Sequence, residues 1–284
     1  MTKRIGISHD AGNRYGHERY KRLKAIGFSC LDFSLMDTET QFYHDTQEKR
    51  DTLIIEEKRL INEAGLVVNQ VHGPWRWPVS DGTDEERAER MEKMKWSIRH
   101  AALLGAKYWV IHPIMPFGTC ECITNLGCEQ ETWGINLAFM KELLMTAKEY
   151  DVIICLENMP MPDFSLGSPK EILRFVKEMG DEHFKVCLDT GHVAVYEGQS
   201  VGDAIRLLDD EIRVIHVHDN DGKQDLHLFP YKGIIDWDDV GKALKDIDYK
   251  GVFNYETHPS HECSDTDYEQ GLLQMIQIAE QILK

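Results

Sequence analysis

The sequence predicts an α/β fold, a (β/α)8 TIM barrel formed by residues 1–284 as one domain. Three observations predict it. Short β-rich runs alternate with longer helical patterns, eight pairs in all, and that alternation implies a parallel sheet. The length of 284 residues is the size that eight such pairs need. Seven of the eight predicted strands stop at a His, Asp or Glu, at the end where barrels build their sites. A doubly wound open sheet is the alternative, but no GxGxxG or GxxxxGK[ST] motif follows a strand to support it.

The first strand is read over Arg4–Ser8, and the first helix over Gly16–Ile26, stopped by Gly27. Cys30–Leu35 is the second strand and Glu48–Ala64 the second helix, ending at Gly65. Leu66–His72 is the third strand, broken by Gly73-Pro74. Asp84–Leu104 is a long helix whose acidic first turn suits the positive helix end. Tyr108–His112 is the fourth strand, ended by Pro113, and Trp133–Tyr150 the fourth helix. Val152–Glu157 is the fifth strand. Ser168-Pro169 then reads as N-cap and first residue of a helix running to Met179. Lys185–Asp189 is the sixth strand, with a short helix near Val201–Leu208. Ile212–His218, Asp236–Ile247, Val252–Glu256 and Asp265–Leu283 complete the alternation as strand, helix, strand, helix.

The strand ends carry His9-Asp10, His72, His112, Glu157-Asn158, Asp189 with His192, His216 with His218, and Glu256 with His258. The second strand ends in Asp32-Phe33-Ser34 and carries no such signal. Scattered polar residues would not all choose one end. Glu157 and Glu256 close apolar strands, where a lone carboxylate is costly unless it is paired or metal-bound. His72 and His112 have two readings: a ligand, or a ring bonded to a backbone carbonyl. Asp189–His192 reads as ligands or as an Asx turn. His218, just past its strand, supports a ligand or makes an ordinary hydrogen bond. His9, Asp10 and His258 read as substrate contacts or supports.

The densest stretch is Ile212–Trp237, IRVIHVHDNDGKQDLHLFPYKGIIDW, with three histidines and several carboxylates, Asp225 and His227 among them. Imidazole and carboxylate together suit a divalent metal such as Zn, Mn or Co. The net charge is −17, from 32 Lys and Arg against 49 Asp and Glu, which argues against nucleic acid as the main partner. No secretory h-region follows the N-terminal charges, and no run approaches the roughly 18 apolar residues of a membrane span. Seven cysteines, an odd number, suit a cytoplasmic protein with free thiols and no membrane partner.

Taken in order, His112-Pro113, Leu156-Glu157-Asn158, Leu188-Asp189-Thr190-Gly191-His192, His216-Val217-His218-Asp219 and the late strand-end Glu256 resemble the sugar phosphate isomerase/epimerase superfamily. That group shares the xylose isomerase-like barrel with endonuclease IV, and the resemblance covers nearly the whole chain. Its epimerase branch implies one divalent metal (Mn, Zn, Co or Mg) held by Glu157, Asp189, His216 and Glu256. Its endonuclease IV branch implies up to three zinc ions on His72, His112, Glu157, Asp189, His192, His216, Asp225, His227 and Glu256. Each of those positions has a suitable residue here. The nuclease pattern, however, has Gly-Glu-Gly where this chain has Tyr231-Lys232-Gly233.

The resemblance therefore implies a carbohydrate isomerase or epimerase acting on a sugar or sugar phosphate. Glu157 and Glu256 would move the proton through a metal-stabilised enediolate. An endonuclease IV-like phosphodiesterase and a metal-dependent sugar or cyclitol dehydratase are the alternatives. His192 would be a substrate or supporting contact in the one-metal case. Trp75 and Trp77 read either as a sugar-stacking pair or as a subunit contact in a homo-oligomer. Lys223 and Lys232 could hold a substrate phosphate. Cys120, Cys122 and Cys128 have no recognised zinc spacing and read as loop thiols.

Overall fold

The structure is a computed structural model describing residues 4–75, 81–115 and 129–284. Eight strands form one parallel sheet: β1 (Ile5–Ser8), β2 (Cys30–Ser34), β3 (Val67–His72), β4 (Tyr108–Ile111), β5 (Ile153–Glu157), β6 (Phe184–Asp189), β7 (Ile212–His216) and β8 (Phe253–Tyr255). They pair in the order β7-β6-β5-β4-β3-β2-β1-β8. The remaining seam, β7 against β8, is closed by a parallel bridge between Val217 and Tyr255. There the Val217 N–H donates to the Asn254 carbonyl at 2.8 Å, and the Glu256 N–H to the Val217 carbonyl at 3.2 Å. The result is the expected barrel.

Helices α1 (Arg19–Ile26), α2 (Gln47–Glu63), α3 (Asp84–Leu104), α4 (Glu129–Glu149), α5 (Pro169–Met179), α6 (Thr190–Ala194), α7 (Val201–Leu208), α8 (Trp237–Asp246) and α9 (Asp265–Ile282) follow the strands. Hydroxyls and carboxylates start several of them, Ser168 as the sequence suggests. Ser168 Oγ accepts the Glu171 N–H, Thr83 Oγ1 the Glu86 N–H, and Asp236 the N–H groups of Asp238 and Asp239. Three boundaries differ from the sequence reading by two residues or more. Gly16 sits at φ +53°, so the chain runs as a 3-10 segment over His9–Glu18 and α1 begins only at Arg19. The fourth helix is already formed at Glu129, the first described residue of that stretch. Strand seven stops at His216, because the next residues turn away to pair with β8 and with Thr190.

Alternation along each strand divides the core in two. Ile111, Leu156, Leu188 and Ile215 face outward and pack under the helices with Leu23, Ile98, Phe175 and Trp237. Full burial of such side chains contributes about 1.5–3 kcal/mol each. The intervening residues Val110, Cys155, Cys187 and Val214 form a separate small cluster inside the barrel. Two residues further along the same inward row come His112, Glu157, Asp189 and His216. Pleating thus aims the strand-end residues at the barrel mouth.

Candidate metal centre

Three strand ends and the residue after β8 meet over the barrel axis. Ligand atoms of Glu157, Asp189, His216 and Glu256 all lie within 4.8 Å of one another. His216 Nδ1 stands 2.9 Å from Glu157 Oε1, 3.1 Å from Glu256 Oε2 and 4.0 Å from Asp189 Oδ2. The first three side chains are fully buried, while that of Glu256 is 21% exposed and forms the open side. Asp189 also caps α6, its Oδ1 accepting the His192 N–H at 2.7 Å.

Two more histidines flank Glu157 on its other oxygen. His72 Nε2 lies 3.3 Å and His112 Nε2 3.2 Å from Glu157 Oε2. His72 Nδ1 is 2.9 Å from the Gly73 carbonyl, which can only accept, so Nδ1 carries the proton. In a neutral His72 ring the Nε2 lone pair would face a carboxylate oxygen, and against burial Glu157 raises the His72 pKa; neither atom has a hydrogen-bond partner.

The loop after β7 builds a third group. Asp225 Oδ2 is 3.2 Å from both His192 Nε2 and His227 Nε2. The Nδ1 atoms of these histidines face carbonyls, of Asn158 and Glu256 respectively, each at 2.7 Å. His218 is buried, with Nε2 3.0 Å from Asp189 Oδ2, and its ring stacks on His227 at 4.1 Å. Gly191 makes room for that ring, since a Cβ there would lie 2.0 Å from His218 Cε1. One buried carboxylate holds the loop. Asp219 accepts from the N–H groups of Asn220 (2.9 Å), Gly233 (3.0 Å) and Ile235 (3.2 Å) and from Trp237 Nε1 (2.8 Å). A side chain on Gly233 would collide with that anchor, its Cβ 2.0 Å from the Asn220 carbonyl oxygen.

Electrostatics follow from this crowding. Burial alone would raise the Glu157 pKa, but His216, His112 and His72 hold it well below the usual carboxylate range. Burial would lower His216, yet its anionic neighbours and the Asp32 hydrogen bond raise it well above the usual value. His192 is pushed up to about 10, against burial, by Asp189 and Asp225. His227 is pushed up to about 9, against burial, by Asp225 and Glu256. His112 goes down, because burial outweighs Glu157.

The donor set is nitrogen and carboxylate oxygen, which suits a divalent cation. Buried atoms without hydrogen-bond partners cluster at the same place: Glu157 Oε2, His72 Nε2 and Glu256 Oε2. Acceptors facing acceptors in a buried site are unfavourable unless a proton or cation lies between them. The residues therefore fit a metal.

With that geometry in view, a family model described as a xylose isomerase-like TIM barrel matches residues 20–278. The chain belongs to that family. Similar proteins include a D-psicose 3-epimerase from Enterocloster bolteae, 28% identical over 241 residues, which are 81% of this chain and 73% of that protein. A probable endonuclease 4 from Mycoplasmopsis agalactiae is 29% identical over 177 residues, 58% of this chain and 57% of that one. A solved D-psicose 3-epimerase with D-tagatose, from Clostridium cellulolyticum H10, shares the fold with TM-score 0.77 at 18% identity, covering 99% of both chains.

In this xylose isomerase-like barrel the structure gathers Glu157, Asp189, His216, Glu256, His72, His112, His192, His218, Asp225 and His227 at one mouth. Trp75 stands at the rim, 37% exposed, sharing a small recess with His112, Pro74, Met115 and Met159. Lys232 is exposed on the loop, and no contact with the centre is found for it among the described residues. His9 packs elsewhere: its Nδ1 accepts the Ser34 N–H at 3.0 Å and its ring stacks on Phe33. His258 faces the Pro259 carbonyl and the rings of His261 and Tyr268. Trp77, Cys120, Cys122 and Cys128 lie outside the described residues. No helix among the described residues is long and apolar enough to cross a membrane.

The sequence reading missed Asp32. It is buried on β2 with Oδ2 2.9 Å from His216 Nε2, directly behind the centre. A signal was present, since Asp32 is a carboxylate between Leu31 and Phe33 in an apolar strand.

Proposed function

We propose that this protein is a divalent-metal-dependent epimerase or isomerase of a free or phosphorylated sugar. The observation that carries the reading is the four-residue group Glu157, Asp189, His216 and Glu256 at the mouth of the barrel. The similarity to D-psicose 3-epimerases supports it. These four residues would hold the cation. When bound, the cation supplies Lewis-acid polarisation of the substrate carbonyl.

The protein's own residues move the proton. Glu157, kept anionic by its imidazoles, takes the proton from the carbon next to the carbonyl. Glu256, on the open side, returns a proton to the opposite face of that carbon and exchanges its own with solvent. The two glutamates come from β5 and from the end of β8, on either side of His216. His192 and His227 orient Asp225 above them, and Trp75 offers an aromatic face at the rim. The test is incubation with D-psicose or another ketohexose in deuterated water. Solvent deuterium at the carbon beside the carbonyl is expected, and its absence across ketohexoses and their phosphates would sink the idea.

One observation favours a second reading. Glu157 is enclosed by His72, His112 and His216, and Asp225 by His192 and His227, and in three of these rings Nδ1 faces a backbone carbonyl, so that Nε2 is the atom aimed at the carboxylates. Such pre-aiming is the usual preparation of metal-binding histidines. Two or three cations would then fit, and phosphodiester hydrolysis follows naturally from a multinuclear site. Metal analysis of protein purified without chelator separates the readings. About one metal per chain supports the epimerase, and two or three zinc ions per chain support the phosphodiesterase.

A further inference from the structure

Asp32 takes no part in the reaction just described, yet it lies at the focus of a buried polar network crossing the barrel. Its Oδ2 is 2.9 Å from His216 Nε2, 2.9 Å from Gln70 Nε2 and 3.4 Å from Asn254 Nδ2. Those partners come from β7, β3 and β8, so one carboxylate on β2 collects three other strands. The Gln70 amide is itself oriented, its Oε1 accepting from Asn69 Nδ2 at 3.0 Å. Asn254 occupies space that Gly6 leaves open, since a Cβ at Gly6 would lie 2.4 Å from Asn254 Oδ1.

A carboxylate can only accept, so the shared hydrogen with His216 sits on Nε2. That leaves Nδ1 of the same ring as the atom turned toward Glu157, Glu256 and Asp189. The ring cannot flip without placing a C–H against Asp32. Burying a carboxylate 5% exposed in a barrel interior is costly unless it is hydrogen-bonded; that ring and the two amides all converge on Oδ2, while Oδ1 has no hydrogen-bond partner.

We propose that Asp32 is a positioning residue that fixes the tautomer and orientation of His216, so that Nδ1 is the atom offered to the cation. The inference rests on the metal centre proposed above. Carboxylates behind a ligating imidazole fix the tautomer, raise ligand basicity and typically contribute about 10–100-fold in metal affinity. Asp32 does this from 184 residues away in sequence.

The test measures zinc and manganese affinity by competition with a fluorescent chelator, together with nitrogen-15 NMR of the zinc-loaded protein. Asp32→Asn keeps the shape and can keep a hydrogen bond but loses the charge, so affinity should fall about 10-fold with little change in melting temperature. Asp32→Ala should lose about 100-fold. In zinc-loaded wild type, His216 should show a slowly exchanging Nε2–H, and that proton should exchange rapidly in Asp32→Ala. A role limited to filling the barrel would lower the melting temperature and leave affinity and the Nε2–H signal alone, overturning the proposal. So would wild-type affinity in both variants, or zinc bound through Nε2. If wild type, Glu157→Gln and His216→Ala all bind zinc equally, the metal centre itself fails, an outcome distinct from a failure of Asp32 alone.

Discussion

Two layers of the barrel interior, built by the same four strands, behave in opposite ways. The lower layer is Val110, Cys155, Cys187 and Val214, a closed apolar cluster. The upper layer, two residues further along each chain, is His112, Glu157, Asp189 and His216, with unpartnered acceptors and shifted proton affinities. Depth alone does not explain the contrast, because both layers are almost wholly buried. What differs is chemistry. The lower layer gains from excluding water, and the upper one exchanges some of that gain for a concentration of charge that needs a cation or protons. Burial raises the Cys187 thiol well above its ordinary pKa, so it stays neutral beneath Glu157, Asp189 and His216.

The contrast can be broken most sharply from above. Glu157→Gln should reduce ketose epimerisation about 10²–10⁴-fold, since it removes a base and a ligand together. Turnover near wild type in steady-state assays would refute the assignment of Glu157. Removing metal with a chelator should abolish turnover and lower thermal stability, both restored by manganese or zinc. At a hundredfold excess over Kd the ion should contribute about 2.7 kcal/mol of stability, readable in calorimetry.

A buried histidine away from the mouth shifts in the opposite direction to His192. His100 on α3 is 1% exposed and 3.9 Å from Asp51, and burial pulls its pKa down to about 4 despite that carboxylate. His192, buried among several carboxylates, goes up to about 10 instead. The folded pKa of His100 lies below its unfolded value of about 6.5, so between those values the unfolded chain takes the proton first. Its contribution is complete above pH 6.5 and lost as pH falls toward 4, roughly 3 kcal/mol in all. Urea melts across that window should show a steeper loss in wild type than in His100→Gln; parallel curves would count against it. The smallest effect belongs to the lower layer. Val214→Ala should cost roughly 1–3 kcal/mol of stability through the cavity it leaves, with kcat changed by less than about threefold. A larger loss of kcat would mean that the two layers are mechanically coupled.

The upper layer was legible in the sequence because its residues announce strand ends. His112, Glu157, Asp189 and His216 close apolar runs, and a period of two then fixes which way they face. Asp32 was legible as a carboxylate in an apolar strand but not as the partner of His216, because that pairing is decided by closure of the barrel and not by neighbours along the chain. The bulk of the strands and helices was readable from periodicity and caps. The start of α1 was not, because the left-handed Gly16 interrupts a pattern that otherwise reads as continuous helix. Nor does spacing reveal that the Nδ1 atoms of His72, His192 and His227 all meet backbone carbonyls, since carbonyl direction depends on turns of the folded chain.

Asp219 has a consequence for how such a protein diversifies. It grips Asn220 at the start of its loop and Gly233, Ile235 and Trp237 at the end. The dozen residues between are thus clipped at both ends by one carboxylate and pinned mid-way by Asp225, His227 and the backbone pairing of Leu228 with Asp219. Residues around Asp225 and His227 can be exchanged while those two, His216 and β7 stay in place. Selection can retune what the mouth accepts without reopening the problem of how the barrel folds.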